Sequence, residues 1–285
     1  MTTILYHANC NDGAGAAFAA WLKLGDMEND QPIDYIPVQY GNQPPEMEGG
    51  QHIYLLDFSY PRETIIELAK KAAHITIIDH HKTAQADLST PFPREHDGDT
   101  LCPIDTTFNM EKSGAMLAWE HFHPGTKAPK LIEYIQDRDL WKFNLEDTKE
   151  FTKGLQLYPE WRHWTKYIGE NGEQEIEQTI RDGLAINCYL DTQAHIITET
   201  PPTHWAIENQ TVPVYNLPGF MMSDTLALAL KKYPDTPYAV GFFYKDHQLI
   251  YSLRSRAGSD IDVSAIAKRH GGGGHKHAAG FTIKI

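Results

Sequence analysis

The sequence is poor in cysteine: Cys10, Cys102 and Cys188 are an odd number at wide spacings with no C-x-x-C pair. That argues against a disulfide framework and against a thiolate-built structural zinc site. Long apolar runs are also missing. No window reaches the roughly 18 consecutive apolar residues a membrane span needs, and the opening MTTILYHANCNDG has neither a basic leader nor a cleavable apolar core. The expectation is a cytoplasmic protein with no membrane partner. Positive charge is scarce too, 25 Lys and Arg against 38 Asp and Glu for a net charge of −13. A broad electrostatic nucleic-acid binder needs a basic footprint that such a chain does not offer. No internal repeat and no low-complexity tract occurs beyond Gly271–Gly274.

What remains is an ordinary globular composition, 41% hydrophobic over 285 residues, enough for roughly two domains with a core each. The charge is uneven. From Arg254 onward six Lys or Arg face Asp260 and Asp262, a local +4, which leaves −17 for the rest. An acidic body with a small basic tail suits cations held in one part and an anion gripped in another, although most single acidic residues are simply solvated surface.

The first third alternates strand and helix patterns. Apolar runs at Thr3–Tyr6, Asp34–Val38, His52–Phe58 and Ile75–Ile78 are spaced by helical patterns at Gly13–Leu24 and, after Pro61, Arg62–Ala73. Runs apolar on both sides predict a buried parallel sheet covered by helices. Residues 84–110, turn-rich, read as a loop excursion, and helices follow near 111–122 and 129–137. A long helix then runs from Glu173 to about Thr198, closed by Pro201 and Pro202. Beyond it lie strand patterns at Val212–Asn216, Tyr238–Tyr244, Gln248–Arg254 and Phe281–Ile285, and helices at Ser223–Lys232 and Asp262–His270. The fold class expected is α/β: a doubly wound, mainly parallel sheet domain over residues 1–172, a linking helix over 173–200, and a smaller α/β domain with a mixed sheet over 201–285.

Acidic and histidine groups recur where the strands of the first domain end. His7 follows the first strand and precedes Asn9, Asn11 and Asp12; Asp57 ends YLLDF; Asp79, His80 and His81 end ITIIDHH; Asp137 and Asp139 lie in YIQDRDLW. Open α/β sheets bind ligands at the carboxyl ends of their strands, so separate strands deliver these groups to one crevice. Carboxylates mixed with imidazoles suit a manganese-like cation better than calcium or thiolate-bound zinc. If one carboxylate bridges, and Asp57 is the candidate, two ions about 4 Å apart serve in-line attack on phosphorus. Each group has a plainer reading: a strand-end Asp as a helix cap, His7 as a satisfied half-buried ring, Asp137 and Asp139 as ion-pair partners of Arg138. Two adjacent imidazoles after a buried strand are harder to dismiss, because desolvating them costs free energy.

The second signal is GGGGHKHAAGF, Gly271 to Phe281. Glycines let backbone N–H groups approach an anion, and His275, Lys276 and His277 add donors; the plainer reading is a flexible linker, which the position between a helix and a final strand opposes. Arg254 and Arg256 end the preceding strand and could fork onto a phosphate, with a structural ion pair as the competing use. Trp161, Trp164 and Tyr158 read as core residues before they read as base-stacking platforms.

With the Asp79-His80-His81 triplet, the upstream Asp57 and SLRSR followed by GGGGHKHAAG in that order, the chain resembles the DHH phosphoesterase superfamily with its C-terminal DHH-associated domain, across essentially its whole length. Relatives include RecJ-type exonucleases, oligoribonucleases called nanoRNases, cyclic-dinucleotide phosphodiesterases and a family of inorganic pyrophosphatases; this chain is most similar to the short two-domain members, nanoRNase B among them. The resemblance implies Asp57 as bridging metal ligand, His7 on one manganese, His80 and Asp139 on the other, His81 on the scissile phosphate and Asp79 orienting its neighbours. Asp139 is preferred to Asp137 because it stands two residues before Trp141. Arg254, His275, Gly273 and Gly274 would hold the nucleotide. The family's first motif, H-x-x-x-D-x-D, is altered: His7 is followed only by Asp12, at the fifth position, so one Asp ligand is missing and Asn9, Asn11 or Cys10 is left to substitute. One or two metal ions are therefore open.

The function expected is a manganese-dependent phosphodiesterase, with Mg2+ or Co2+ as substitutes, acting on short RNA or DNA oligonucleotides or small nucleotides. The alternatives are a phosphatase or pyrophosphatase releasing inorganic phosphate, and a non-catalytic nucleotide-binding sensor. The sequence leaves a homodimer open.

Overall fold

A computed structural model describes residues 1–285, and the chain divides into two compact units, Met1–Ala185 and Ile186–Ile285. The first unit begins with β1 (Thr2–His7), α1 (Asn11–Leu24), a short hairpin β2–β3 (Met27–Glu28 and Gln31–Pro32), β4 (Asp34–Val38), β5 (His52–Leu56), α2 (Arg62–Ala69) and β6 (His74–Asp79). After α3 (Lys82–Asp87) and a second hairpin β7–β8 (Glu95–His96 and Asp99–Thr100) come β9 (Ile104–Phe108), α4 (Gly114–Phe122), α5 (Lys130–Asp139) and α6 (Thr148–Gly154). The helix α7 (Gly172–Glu199) spans the division between the units.

Five strands form one sheet in the order β4-β1-β5-β6-β9, and every neighbouring pair is parallel. Alternate residues feed two cores. Ile4, Leu56 and Ile78 pack with Ala16, Phe18, Ala118 and Ile132 of α1, α4 and α5, whereas Leu5, Leu55 and Ile77 pack with Ile65, Ile66 and Ala69 of α2. Helices therefore cover both faces, and each fully buried aliphatic side chain stabilises this arrangement by about 1.5–3 kcal/mol. From β1 the chain reaches β4 on one side and returns to β5 on the other. The switch point lies between β1 and β5, whose carboxyl ends lead into His7 and Asp57.

Residues 84–110 are not a plain loop. They hold the end of α3, the β7–β8 hairpin and β9, the edge strand of the sheet. The sequence IDTTF buries no residue fully, and a half-exposed polar edge strand carries little of the apolar periodicity by which strands are recognised.

The second unit contains the end of α7, then β10 (Thr203–Ile207), β11 (Gln210–Asn216), α8 (Met222–Lys232), β12 (Tyr238–Lys245), β13 (Gln248–Ser255), α9 (Val263–Arg269), β14 (Gly273–His275) and β15 (Ala278–Lys284). Its sheet runs β10-β11-β12-β13-β15-β14; only β11 and β12 are parallel, so the sheet is mixed. Val212, Val240, Leu253, Val263, Ile266 and Phe281 fill one core, and Leu217, Leu226, Leu230 and Ala239 another. The glycine run is a turn and an edge strand rather than a linker. Gly274, at φ 140°, pairs with Ala279 so closely that a Cβ would stand 2.6 Å from the Ala278 carbonyl oxygen.

Candidate metal centre

Three strand ends and two helices of the first unit supply one cluster. Beyond β1, Asn9 takes a left-handed turn, φ 61°, and Cys10 caps α1 by accepting the Gly13 N–H on Sγ at 3.2 Å. Asp57 directly follows β5 with φ 54°, a conformation that costs an Asp of order 1 kcal/mol and is held by the surrounding packing. His80 and His81 follow β6, Asp12 lies in the first turn of α1, and Asp139 ends α5.

Asp57 stands at the centre, 1% exposed. Its Oδ2 lies 3.5 Å from His7 Nδ1 and its Oδ1 lies 3.1 Å from His80 Nε2, so the two oxygens face different histidines. His80 Nε2 is also 3.4 Å from Asp12 Oδ2 and 3.5 Å from Asp139 Oδ2. Two groups of ligand atoms result, His7 with Asp57 and His81, and Asp12 with Asp57 and His80, each within 4.8 Å. Asp57 belongs to both. Although His80 is near, no well-aligned donor reaches Asp57 Oδ1, and a buried oxygen left so costs about 1–3 kcal/mol unless a cation compensates.

The neighbours hold these ligands still. Asp79, fully buried, accepts the backbone N–H groups of His80 and His81 and sits 2.6 Å from His81 Nδ1 through Oδ1, while Oδ2 accepts Ser59 Oγ–H at 2.7 Å. That leaves the His81 ring its other nitrogen, the arrangement by which a carboxylate orients a functional histidine. Asp12 accepts the N–H groups of Gly114 and Ala115, at 2.7 and 2.9 Å, which places its charge at the amino end of α4. Tyr40 stacks its ring edge against His7 and His81, with centroids 5.4 and 5.6 Å away.

Charge is crowded here. Burial pushes the Asp12 carboxyl well above the usual range, and the Asp57 and Asp139 charges add to it. Burial likewise raises Asp139, against the pull of His80. For Asp57 burial works upward, but the His7 and His80 rings prevail and hold it down at about 2. Burial opposes a charged His80, yet contact with Asp57 and the charges of Asp57 and Asp139 raise its pKa; the bond to Asp79 raises His81. Burial and Asp57 push the Cys10 thiol up. Two buried carboxylates, Asp12 and Asp57, and the half-buried Asp139 around shared imidazoles form a donor set that fits divalent cations.

The structure does not bring Asp137 to this cluster. Its oxygens accept the N–H groups of Asn144 and Leu145 and the Thr148 hydroxyl, so it shapes the turn after α5. Trp161 and Trp164 are buried in the core, at 4% and 1% exposure. Beside Asp12 and Asp139 opens a cleft of about 660 Å3 whose lining includes Asn9, Arg138, Trp141 and Gln156. Arg138 lies over the Trp141 ring at 4.5 Å, and Trp141 is 71% exposed. Sequence reasoning used Trp141 only as a landmark and passed over Ser59, Tyr40 and Gly114, whose roles come from contacts distant in sequence.

In the second unit Arg254 donates to Ser223 Oγ, and Gly273, with nothing within 4 Å of where a Cβ would point, lies on the edge strand with His275. Arg256 donates to the carbonyls of Leu230, Tyr233 and Thr236 and so closes the end of α8.

Comparison with known proteins agrees with this architecture. Residues 221–285 match the DHHA1 domain family. Over 304 aligned positions, 99% of this chain and 68% of its relative, the sequence is 30% identical to the uncharacterized protein R106 of Acanthamoeba polyphaga mimivirus. In fold the chain is similar to the pGpG-specific phosphodiesterase PggH of Vibrio cholerae, with a TM-score of 0.53 and 12% identity over 100% of this chain and 93% of the other. It is also similar to an exonuclease RecJ bound to manganese, with a TM-score of 0.51 and 15% identity over 99% and 86%.

Proposed function

The chain belongs to the DHH phosphoesterase superfamily and ends in a DHHA1 domain, and from that premise we propose that it is a manganese-dependent phosphodiesterase of short oligonucleotides or small nucleotides. One observation carries the reading: the two oxygens of the buried Asp57 face different histidines, so a single carboxylate serves two ligand groups. Divalent cations held there would acidify a water and offset charge on a phosphate. His7, Asp57, Asp12, His80 and Asp139 hold them. His81, its Nδ1 fixed by Asp79, offers its second nitrogen to a phosphate oxygen as charge develops. The raised pKa of His81 suits a donor in that role.

A short substrate fits better than a duplex. The cleft beside Asp139 offers a stacking surface in Trp141, which is backed by Arg138, and room for about one nucleotide's base. Beyond it the net charge of −17 outside the last 32 residues repels a long polyanion. In the second unit, Arg254, His275 and the amides of Gly273 and Gly274 form a donor group for a nucleotide's terminal phosphate or ribose. The manganese of the RecJ structure and the dinucleotide named for PggH support the metal and substrate class.

The test offers the manganese-loaded protein pApA, a cyclic dinucleotide, cyclic AMP, pyrophosphate and a long oligonucleotide. Cleavage of pApA in preference to the long strand, abolished by Asp57→Asn and by His80→Ala, is expected. Phosphate release from pyrophosphate alone, nucleotide binding without turnover, or unchanged cleavage in both variants would refute the reading.

A further inference from the structure

After His7 the first motif has a single carboxylate, Asp12, where the resemblance implies two, and the geometry points to a substitute: we propose that Cys10 is a thiolate ligand of the cation held by His7 and Asp57. The inference rests on the reading of this cluster as a metal site. Cys10 Sγ lies 3.4 Å from His7 Nδ1 and 3.5 Å from Asp57 Oδ2, and those two atoms are 3.5 Å apart. A tetrahedral cation with metal–sulfur bonds of about 2.3 Å and metal–nitrogen or metal–oxygen bonds of about 2.0–2.2 Å sets sulfur about 3.5 Å from its partner ligands. An octahedral hard cation at about 2.1 Å would draw neighbouring donors to about 3.0 Å. The three atoms stand at the wider spacing.

Two further observations agree. Asp57, whose Oδ2 is the shared corner of this triangle, is 1% exposed and turns its other oxygen, Oδ1, without an aligned donor, toward the His80 group, so the one carboxylate has an oxygen for a cation on each side. The sulfur also occupies the amino end of the 14-residue helix α1 and accepts the Gly13 N–H, where the helix dipole favours an anion. Of the other substitutes, Asn11 directs its amide to the Thr152 carbonyl, away from His7. Binding releases the thiol proton to solvent as the sulfur–metal bond forms. Three protein ligands would leave the cation a further position open to water or a phosphate oxygen, the pattern of a catalytic rather than a structural site. A His–Cys–carboxylate set is softer than the all-oxygen and nitrogen group around His80, so this subsite prefers zinc or cobalt over manganese while the other does not.

The full chain, stripped of metal and titrated with cobalt, tests this. Wild type and a Cys102→Ser/Cys188→Ser control are expected to show visible cobalt bands and a near-ultraviolet thiolate-to-cobalt charge-transfer band. Cys10→Ser and Cys10→Asp are expected to lose the charge-transfer band and keep the visible bands of the second group. In Cys10→Asp, which restores a carboxylate, the preference for zinc over manganese should fall by about tenfold or more. Visible bands in wild type without charge transfer, or a charge-transfer band that survives in Cys10→Asp, overturns the role of Cys10 and leaves the metal site standing. No cobalt bands in wild type overturns the metal site itself.

Discussion

Gly114 packs against Asp57 so tightly that a Cβ at position 114 would lie 2.6 Å from Asp57 Oδ1. The contact joins the first turn of α4 to the centre of the cluster, and the same turn donates two N–H groups to Asp12. Gly114→Ala must therefore displace the carboxylate that both ligand groups share. Overpacking of this kind costs about 1–3 kcal/mol in a rigid interior. The variant should fold with a lowered Tm and bind metal about tenfold or more weakly, as calorimetry with manganese would read. A variant with wild-type affinity would show that Asp57 is free to move.

Asp139→Asn separates stability from function. Burial and the Asp57 charge disfavour an ionised Asp139 when no cation is bound, so a neutral isostere relieves repulsion. The metal-free variant should melt no lower than the metal-free wild type. Manganese should then stabilise wild type, by about 2.7 kcal/mol at a hundredfold excess over Kd, and the variant much less. Melting curves with and without chelator measure both effects, and an equal metal-induced shift in the two proteins would remove Asp139 from the ligand set.

The pairing of Asp137 with Asp139 shows where sequence reasoning stops. Both precede Trp141 in one short motif, and only helix phase and the turn at 144–148 reveal that Asp137 caps a loop. His7, Asp57 and His80 were legible because each adjoins the carboxyl end of a strand whose apolar run is plain in the sequence. Gly114 was not, since its constraint is a contact with a residue far along the chain, and neither was β9, whose Asp105, Thr106 and Thr107 face solvent. The parallel sheet announced itself through buried β-branched runs, whereas β10 and β14 are short edge strands with little to bury.

A histidine cluster at the opposite ends of the strands makes a pH prediction. His52 stacks near His74, with ring centroids 4.6 Å apart, and bonds Thr76 Oγ1 at 2.9 Å. Burial and then the His74 charge hold its pKa down at about 4, against an ordinary 6.5. Between those values the unfolded chain takes up a proton that the folded chain refuses, so stability rises with pH across this window and falls as acid is added. Because the ring is only half-buried, the effect is on the order of 1 kcal/mol after solvent screening. His52→Gln should flatten that slope in urea unfolding at pH about 4.5 and about 7, and an unchanged slope would assign the dependence elsewhere.

Arg254 lies near the end of β13 and Arg256 directly follows that strand, and the two should behave oppositely when removed. Arg256 donates to the carbonyls of Leu230, Tyr233 and Thr236 and so ties the end of α8 to the turn that follows it. Bonds from a charged donor contribute about 1.5–3 kcal/mol each in favourable cases, so Arg256→Ala should lower the stability of the second unit by a few kcal/mol. Arg254 holds only the Ser223 hydroxyl, and burial works against its charge, an expense that an anion at the same place would offset. Arg254→Ala should leave unfolding nearly unchanged while raising KM for a dinucleotide about tenfold or more, with kcat less affected, because the residue binds ground state and transition state alike. Unfolding curves and KM measured on both variants decide the matter. A stability loss in Arg254→Ala equal to that of Arg256→Ala would make it a second structural cap and remove it from the substrate-binding set.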